Sequence, residues 1–282
     1  MKYCWIIFPL FLLFACDTED EQLPAYIYVD NVVVNTTLEE GTNDARVPNG
    51  FLDANQDELG VVTVPGRVPV LESGGVNIRF DPAIRANGSS ATLSIYPFYE
   101  RYETTLQLTE LETDTLRPVV GYRDDAIFAF VENFDDPNTV FTDDRDGDPE
   151  TRIDISANGA FENGSAVVQL SGDHRTIELA TDLNDPFDLP DNVRDAFLEV
   201  NFRGDVPILF GIIGQNAGQN PIPSYEWVLN PKEEWTKIYL ELTEAIQFSG
   251  FDTYRISFIA SLEGSELSEG EVWLDNVKFI YR

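Results

Sequence analysis

The side chains available for chemistry are unevenly supplied: fifty acidic residues, a single histidine and two cysteines. One imidazole and two thiols cannot build a His or Cys cluster for a transition metal. A Ser-His-Asp triad would have to use His174. That residue lies in Ser171-Gly172-Asp173-His174-Arg175, a polar turn ahead of the strand Thr176 to Ala180, where a solvated histidine is expected. Fifty carboxylates make any chosen pair uninformative, and none stands in a motif with a nucleophile or a positioned base. The segment Gln215-Asn216-Ala217-Gly218-Gln219-Asn220-Pro221 leads to Tyr225 and Trp227. Amides that hydrogen-bond hydroxyls, beside an aromatic face that stacks on a ring, suit a sugar ligand. Core packing competes for Trp227, which precedes Val228 and Leu229 in a strand. Tyr96, Phe98, Tyr99 and Tyr102 form the densest aromatic group. They either expose a binding patch or seal a junction between domains.

The acidic run Asp143-Asp144-Arg145-Asp146-Gly147-Asp148-Pro149-Glu150 alternates its aspartates at 144, 146 and 148. A calcium loop of the EF-hand type needs its glycine two places later, where Pro149 stands, and a closing glutamate where Ile155 stands. A solvated acidic loop is expected instead. Asp53-Ala54-Asn55-Gln56-Asp57-Glu58 also lacks that glycine and reads as a hairpin turn.

These residues sit in a chain of 282, long enough for one large or two ordinary domains, with 18 basic residues and a net charge of −32. Such a charge disfavours nucleic acid and anionic headgroups, suits divalent cations and favours solubility. Lys2 precedes a short apolar run ending at Cys16, too short to span a bilayer and patterned as a secretory signal over residues 1–15. Leu13-Phe14-Ala15-Cys16 resembles a lipobox, although Phe14 replaces the usual small residue. The resemblance implies cleavage before Cys16 and acylation of its thiol. With Cys4 removed, no intramolecular disulfide remains. Two or three acyl chains give a stable anchor. The acidic segment Asp17-Thr18-Glu19-Asp20-Glu21 resembles the surface-export tag of Bacteroidetes lipoproteins and opens a tether over 16–24. The expected location is the outer membrane, lipid-anchored and facing the cell exterior, with periplasmic retention as the alternative.

Beyond the tether the pattern is all-β. Short runs rich in β-branched and aromatic residues, such as Ala25 to Val34, Val76 to Phe80 and Thr104 to Leu108, are separated by Gly, Pro, Asn and Asp clusters. Asn49-Gly50 and Glu72-Ser73-Gly74-Gly75 are turn signals. A second series of strands begins near Ala126, after the charged break Tyr122-Arg123-Asp124-Asp125. Phe197 to Phe202 alternates as a half-buried strand, and Leu209 to Ile213 is continuous, as in a strand buried on both faces. Two β-sandwich domains are expected, over 25–122 and 123–282.

Leu59 to Ile78 resembles the small PEGA-type, immunoglobulin-like β-domains of bacterial surface proteins, and the first domain is similar to the N-terminal half of Bacteroidetes lipoproteins. Phe130-Val131-Glu132-Asn133-Phe134-Asp135, Glu234-Trp235-Thr236-Lys237-Ile238-Tyr239-Leu240-Glu241-Leu242 and Val272-Trp273-Leu274-Asp275-Asn276-Val277-Lys278-Phe279 resemble, in family order, three strands of galactose-binding-like jelly rolls, the fold of many carbohydrate-binding modules. That resemblance implies a structural calcium held through Glu132 and Asp275, with polar contacts at a strand end as the competing reading. It also makes Trp235 and Trp273 structural. A fold does not give a function. The expected function is a lipid-anchored surface protein with non-catalytic ligand binding, the ligand being glycan. The alternative is a structural or accessory subunit of an outer-membrane protein complex, with a hydrolase ranked below both. Expected partners are the outer membrane, glycan and a membrane-complex protein, without nucleic acid. Calcium is the one cofactor expected.

Overall fold

A computed structural model describes residues 22–89, 91–190 and 192–282. The signal segment, Cys16 and the first part of the acidic tether lie outside these residues.

The N-terminal half contains ten strands: β1 (Ala25–Val29), β2 (Val33–Val34), β3 (Asn49–Ala54), β4 (Asp57–Thr63), β5 (Gly66–Val70), β6 (Gly74–Arg85), β7 (Leu93–Ile95), β8 (Tyr102–Leu108), β9 (Thr113–Leu116) and β10 (Val119–Val120). One sheet runs β5-β1-β9. A second runs β4-β3-β6-β7, with β8 also paired to β6. Alternating residues from the two sheets, among them Ile27, Val29, Leu52, Ile78 and Phe80, meet in a shared core. Asn55 and Gln56 carry the β3–β4 hairpin turn with φ of 47° and 78°. Asn49-Gly50, by contrast, is strand rather than turn. Gly50 sits under the Phe80 ring, where a Cβ would stand 2.1 Å from the ring atoms. The glycine serves close packing, which the dipeptide alone does not reveal.

The C-terminal half contains β11 (Ile127–Glu132), β12 (Asp143–Asp144), β13 (Asp154–Ser156), β14 (Ser165–Ser171), β15 (Thr176–Ala180), β16 (Ala196–Gly204), β17 (Ile208–Gln215), β18 (Ile222–Leu229), β19 (Lys232–Glu241), α1 (Thr243–Ser249), β20 (Thr253–Ser261) and β21 (Glu269–Tyr281). A six-stranded sheet runs β13-β14-β21-β16-β19, with β11 also on β21. A five-stranded sheet runs β12-β15-β20-β17-β18. Their facing sides interdigitate Leu198, Val200 and Phe202 of β16 with Phe210 and Ile212 of β17 and Ile256 and Phe258 of β20. The architecture is the all-β sandwich that the strand pattern predicts. The one helix among the described residues is unannounced. It buries Thr243 and Ile246 and stops at Gly250, whose φ is 66°. Seven residues are too few to show a helical period.

The two halves meet along the outer side of the six-stranded sheet. Asn87, just past β6, donates its backbone N–H to Tyr239 O at 2.8 Å and accepts from Glu241 N–H at 2.9 Å through Oδ1. Tyr96 packs edge-on against Phe197 and Tyr239 and Phe98 against Phe197, while the Tyr99 hydroxyl lies 3.2 Å from that of Tyr239 and Tyr122 packs on Tyr99, all buried. The tyrosine-rich segment therefore closes this seam; Tyr102 lies at its margin. Beneath it Glu199 is fully buried. Its Oε1 accepts from Tyr96 Oη at 2.7 Å and Tyr122 Oη at 2.8 Å, and its Oε2 pairs with Lys237 Nζ at 2.7 Å. Burial works against the carboxylate charge, but Lys237 and Lys278 outweigh it and hold the carboxyl below its usual range.

Candidate functional site

Strand alternation sends Tyr254, Ile256, Phe258 and Ala260 of β20 into the core, so Arg255, Ser257 and Ile259 face outward on the five-stranded sheet. In the same way Leu209, Gly211 and Ile213 of β17 face out, as does Glu178 of β15. Cross-strand register places Gly211 opposite Ser257, and Glu178 opposite Ile259. The outermost strand on this side is β18.

Two residues apart on a regular strand, Tyr225 and Trp227 would share a face. A bulge prevents it: Phe210 pairs with Trp227 and Gly211 with Tyr225, which leaves Glu226 unpaired. Trp227 accordingly packs into the core at 7% exposure, among Phe210 and Leu229. Tyr225 turns to the outer face, half-buried. The stacking role thus falls to Tyr225 alone.

The Tyr225 hydroxyl donates to Glu178 Oε1 at 2.7 Å and lies 2.8 Å from Ser257 Oγ. These partners belong to β15 and β20, beyond the intervening β17. Neighbouring strands stand about 4.8 Å apart, so the side chain reaches them only by lying along the sheet. Gly211 makes room beneath: a Cβ there would stand 2.5 Å from Tyr225 Cδ1. The half-buried ring runs across the outer face over Gly211, beside the 57% exposed Val228 and the part-exposed Leu209 and Ile259. Burial, with the Glu178 carboxylate, pushes the Tyr225 phenol up to about 12.

Polar groups rim this platform. Arg145 donates Nε to Glu178 Oε1 at 2.8 Å and approaches Asp143 Oδ2 at 3.4 Å, and Arg255 Nη1 reaches the same Asp143 oxygen at 2.6 Å. The carboxylates can accept from ligand hydroxyls and the guanidiniums can donate to them. The amide loop is spent differently. Gln215 donates to Gln219 O within the turn, and Asn216 Oδ1 accepts from the Asp252 N–H ahead of β20, so these two side chains brace the protein's own backbone.

The residues expected to hold calcium are placed as follows. Glu132 is buried, its Oε1 accepting from Phe134 N–H at 2.9 Å and its Oε2 from Val140 N–H at 2.8 Å. Asp275 accepts from Ser165 Oγ at 2.5 Å and from the Asn276 N–H at 2.7 Å, and burial pushes its carboxyl up to about 7. No group of three or more His, Cys, Asp or Glu residues with metal-ligating geometry occurs among the described residues. The Asp143–Glu150 loop is stitched by its own carboxylates: Asp144 caps Gly147 N–H, Asp146 accepts from Asp148 N–H and Thr151 Oγ1, and Asp148 meets His174 Nδ1 at 2.7 Å. His174 is therefore a surface clasp, with Asp148 holding its imidazole above the usual value.

Trp235 and Trp273 lie on the outer side of the opposite sheet with the Arg203 guanidinium carbon 4.5 Å from the Trp273 ring centre. Sequence reasoning did not single out Gly211, Glu178, Ser257 or Arg145. A glycine inside the apolar run Leu209 to Ile213 is the one visible sign of a close approach.

No family model matches the chain, and no curated protein sequence matches it. Solved structures similar to it include the CBM22-1 xylan-binding domain of Paenibacillus barcinonensis Xyn10C, at 11% identity and a TM-score of 0.38, over 55% of this chain and 95% of that one. Another is the family 30 carbohydrate-binding module of a cellulosomal cellulase of Clostridium thermocellum, at 12% identity and a TM-score of 0.41, over 55% of this chain and 96% of that one.

Proposed function

We propose that this chain is a non-catalytic glycan-binding protein, anchored through acylated Cys16 to the outer membrane and displayed on the cell exterior, with the outer face of the five-stranded sheet as its binding surface. Support comes from one observation above all. Tyr225 lies half-buried across the outer face of the sheet over Gly211, with the Glu178 carboxylate and the Arg145 guanidinium at its hydroxyl end. A sugar ring offers an axial C–H face to stack and equatorial hydroxyls to hydrogen-bond, and this arrangement answers both. Binding requires no nucleophile or proton transfer.

Affinity electrophoresis of residues 22–282 through gels containing xylan, hydroxyethyl cellulose, starch or polygalacturonate tests the proposal. At least one neutral polysaccharide should retard the protein, and Tyr225→Ala should abolish the retardation. Free migration in every gel would sink the glycan reading and favour the accessory-subunit alternative, which cross-linking on intact cells would then pursue. For the anchor, Cys16→Ala should release the chain from the membrane fraction.

A further inference from the structure

The flat pose of Tyr225 has to be enforced, because β18 is the outermost strand and a tyrosine there has open rotamers available. We propose that Glu178, itself fixed by Arg145, is the positioning residue that holds the Tyr225 ring against Gly211 and so preforms the stacking platform. This rests on the glycan-binding role given to Tyr225 above. Ligand contact by Glu178 is not required; it acts through the tyrosine.

A side chain whose hydroxyl were released would swing between staggered rotamers, and only the flat one presents the outward face. Two anchors prevent this, Glu178 Oε1 at 2.7 Å and Ser257 Oγ at 2.8 Å. The stronger is Glu178, since an ionised acceptor makes the tighter bond. Its carboxylate is not free to follow the ring. Arg145 Nε holds the same oxygen at 2.8 Å, and Arg145 Nη1 leans on Asp143 at 3.4 Å. Asp143 in turn is held at 2.6 Å by Arg255, whose side chain is 3% exposed. The platform is thereby tied, through a chain of alternating charges, to a group rooted in the sheet. Pre-ordering one rotamer-rich side chain is worth about threefold to tenfold in affinity.

The test uses Glu178→Ala, Glu178→Gln, Tyr225→Phe and Tyr225→Ala, with two readouts. The first needs no ligand: nuclear Overhauser contacts between the Tyr225 ring protons and Gly211 Hα in the free protein. The second is affinity for xylan and hydroxyethyl cellulose in the same gels. The expected result is that Glu178→Ala and Tyr225→Phe weaken the ring–Gly211 contacts and lower affinity about threefold to tenfold. Glu178→Gln, which still accepts from the hydroxyl, should stay close to the unaltered protein in both. Ring contacts unchanged in both Glu178→Ala and Tyr225→Phe would overturn the positioning role. A freed ring with undiminished affinity, while Tyr225→Ala abolishes binding, would overturn it too and leave the glycan reading standing. If the unaltered chain is not retarded by either polysaccharide, the platform has no sugar to receive and the inference falls with that reading.

Discussion

Replacing Glu199 by Gln is the sharpest perturbation of the seam between the two halves. Glu199 and Lys237 are both 0% exposed at their side chains and stand 2.7 Å apart. The substituted glutamine would still offer an oxygen to Tyr96 and Tyr122, so their two hydrogen bonds survive. Its amide nitrogen would then face the Lys237 ammonium, donor against donor, and the ammonium would lose its nearest counter-charge. Breaking a buried pair by neutralising one partner costs about 3–5 kcal/mol. Lys237→Met added to Glu199→Gln removes the stranded charge and keeps the side-chain volume, so the double variant should recover most of that loss. Urea denaturation, monitored by tryptophan fluorescence, reads both effects. Calorimetry adds a second, since a weakened seam should split a single unfolding transition into two. A loss below about 1 kcal/mol for Glu199→Gln, the range typical of exposed pairs, would refute the claim that this pair is desolvated and couples the halves.

Other outcomes follow from the same geometry. Gly211→Ala puts a Cβ 2.4 Å from Ser224 O and 2.5 Å from Tyr225 Cδ1, so it should cost about 1–3 kcal/mol of stability by overpacking and abolish glycan retardation; an unchanged affinity would dismiss the flat-ring geometry. Asp275 has its folded pKa raised to about 7 from an ordinary 3.8. Its contribution to stability is therefore full below about pH 4 and is lost as pH rises towards 7. Asp275→Asn should flatten that part of the stability–pH curve, and identical slopes in both proteins would contradict the assignment. Because both oxygens of Glu132 already accept backbone N–H groups, added calcium or chelator should leave the calorimetric Tm unchanged. A clear rise with calcium would show an ion displacing those bonds.

How much of this was legible in the sequence varies by residue. Alternation and β-branched composition gave away the strands, but Phe197 to Phe202, whose alternation reads as a half-buried strand, is buried throughout, because the N-terminal half covers its polar side as well. The seam was half visible: the aromatic density from Tyr96 to Tyr102 was plain, but its burial depends on Phe197 and Tyr239, far along the chain in the other half. The site was the least legible part. Tyr225 and Trp227 could be picked as aromatics near a polar loop. Their opposite fates depend on the bulge at Glu226, a register irregularity between two strands that no single-strand pattern encodes. Glu178 was one carboxylate among fifty, and only the fold places it under a tyrosine hydroxyl. The amide loop misled because backbone groups, Gln219 O within the turn and Asp252 N–H far along the chain, satisfy Gln215 and Asn216 as readily as a ligand would. Helix α1 escaped because seven residues carry no measurable period.

The central claim is that the outward face of Tyr225 receives a sugar. A glycan array probed with residues 22–282 and with the Tyr225→Ala variant, side by side and at matched folded concentration, tests it most directly. The expected result is a restricted set of neutral glycans bound by the first protein and lost in the variant, whose circular dichroism is unchanged. Glycans bound equally by both proteins would contradict the claim and move the site off this face of the sheet.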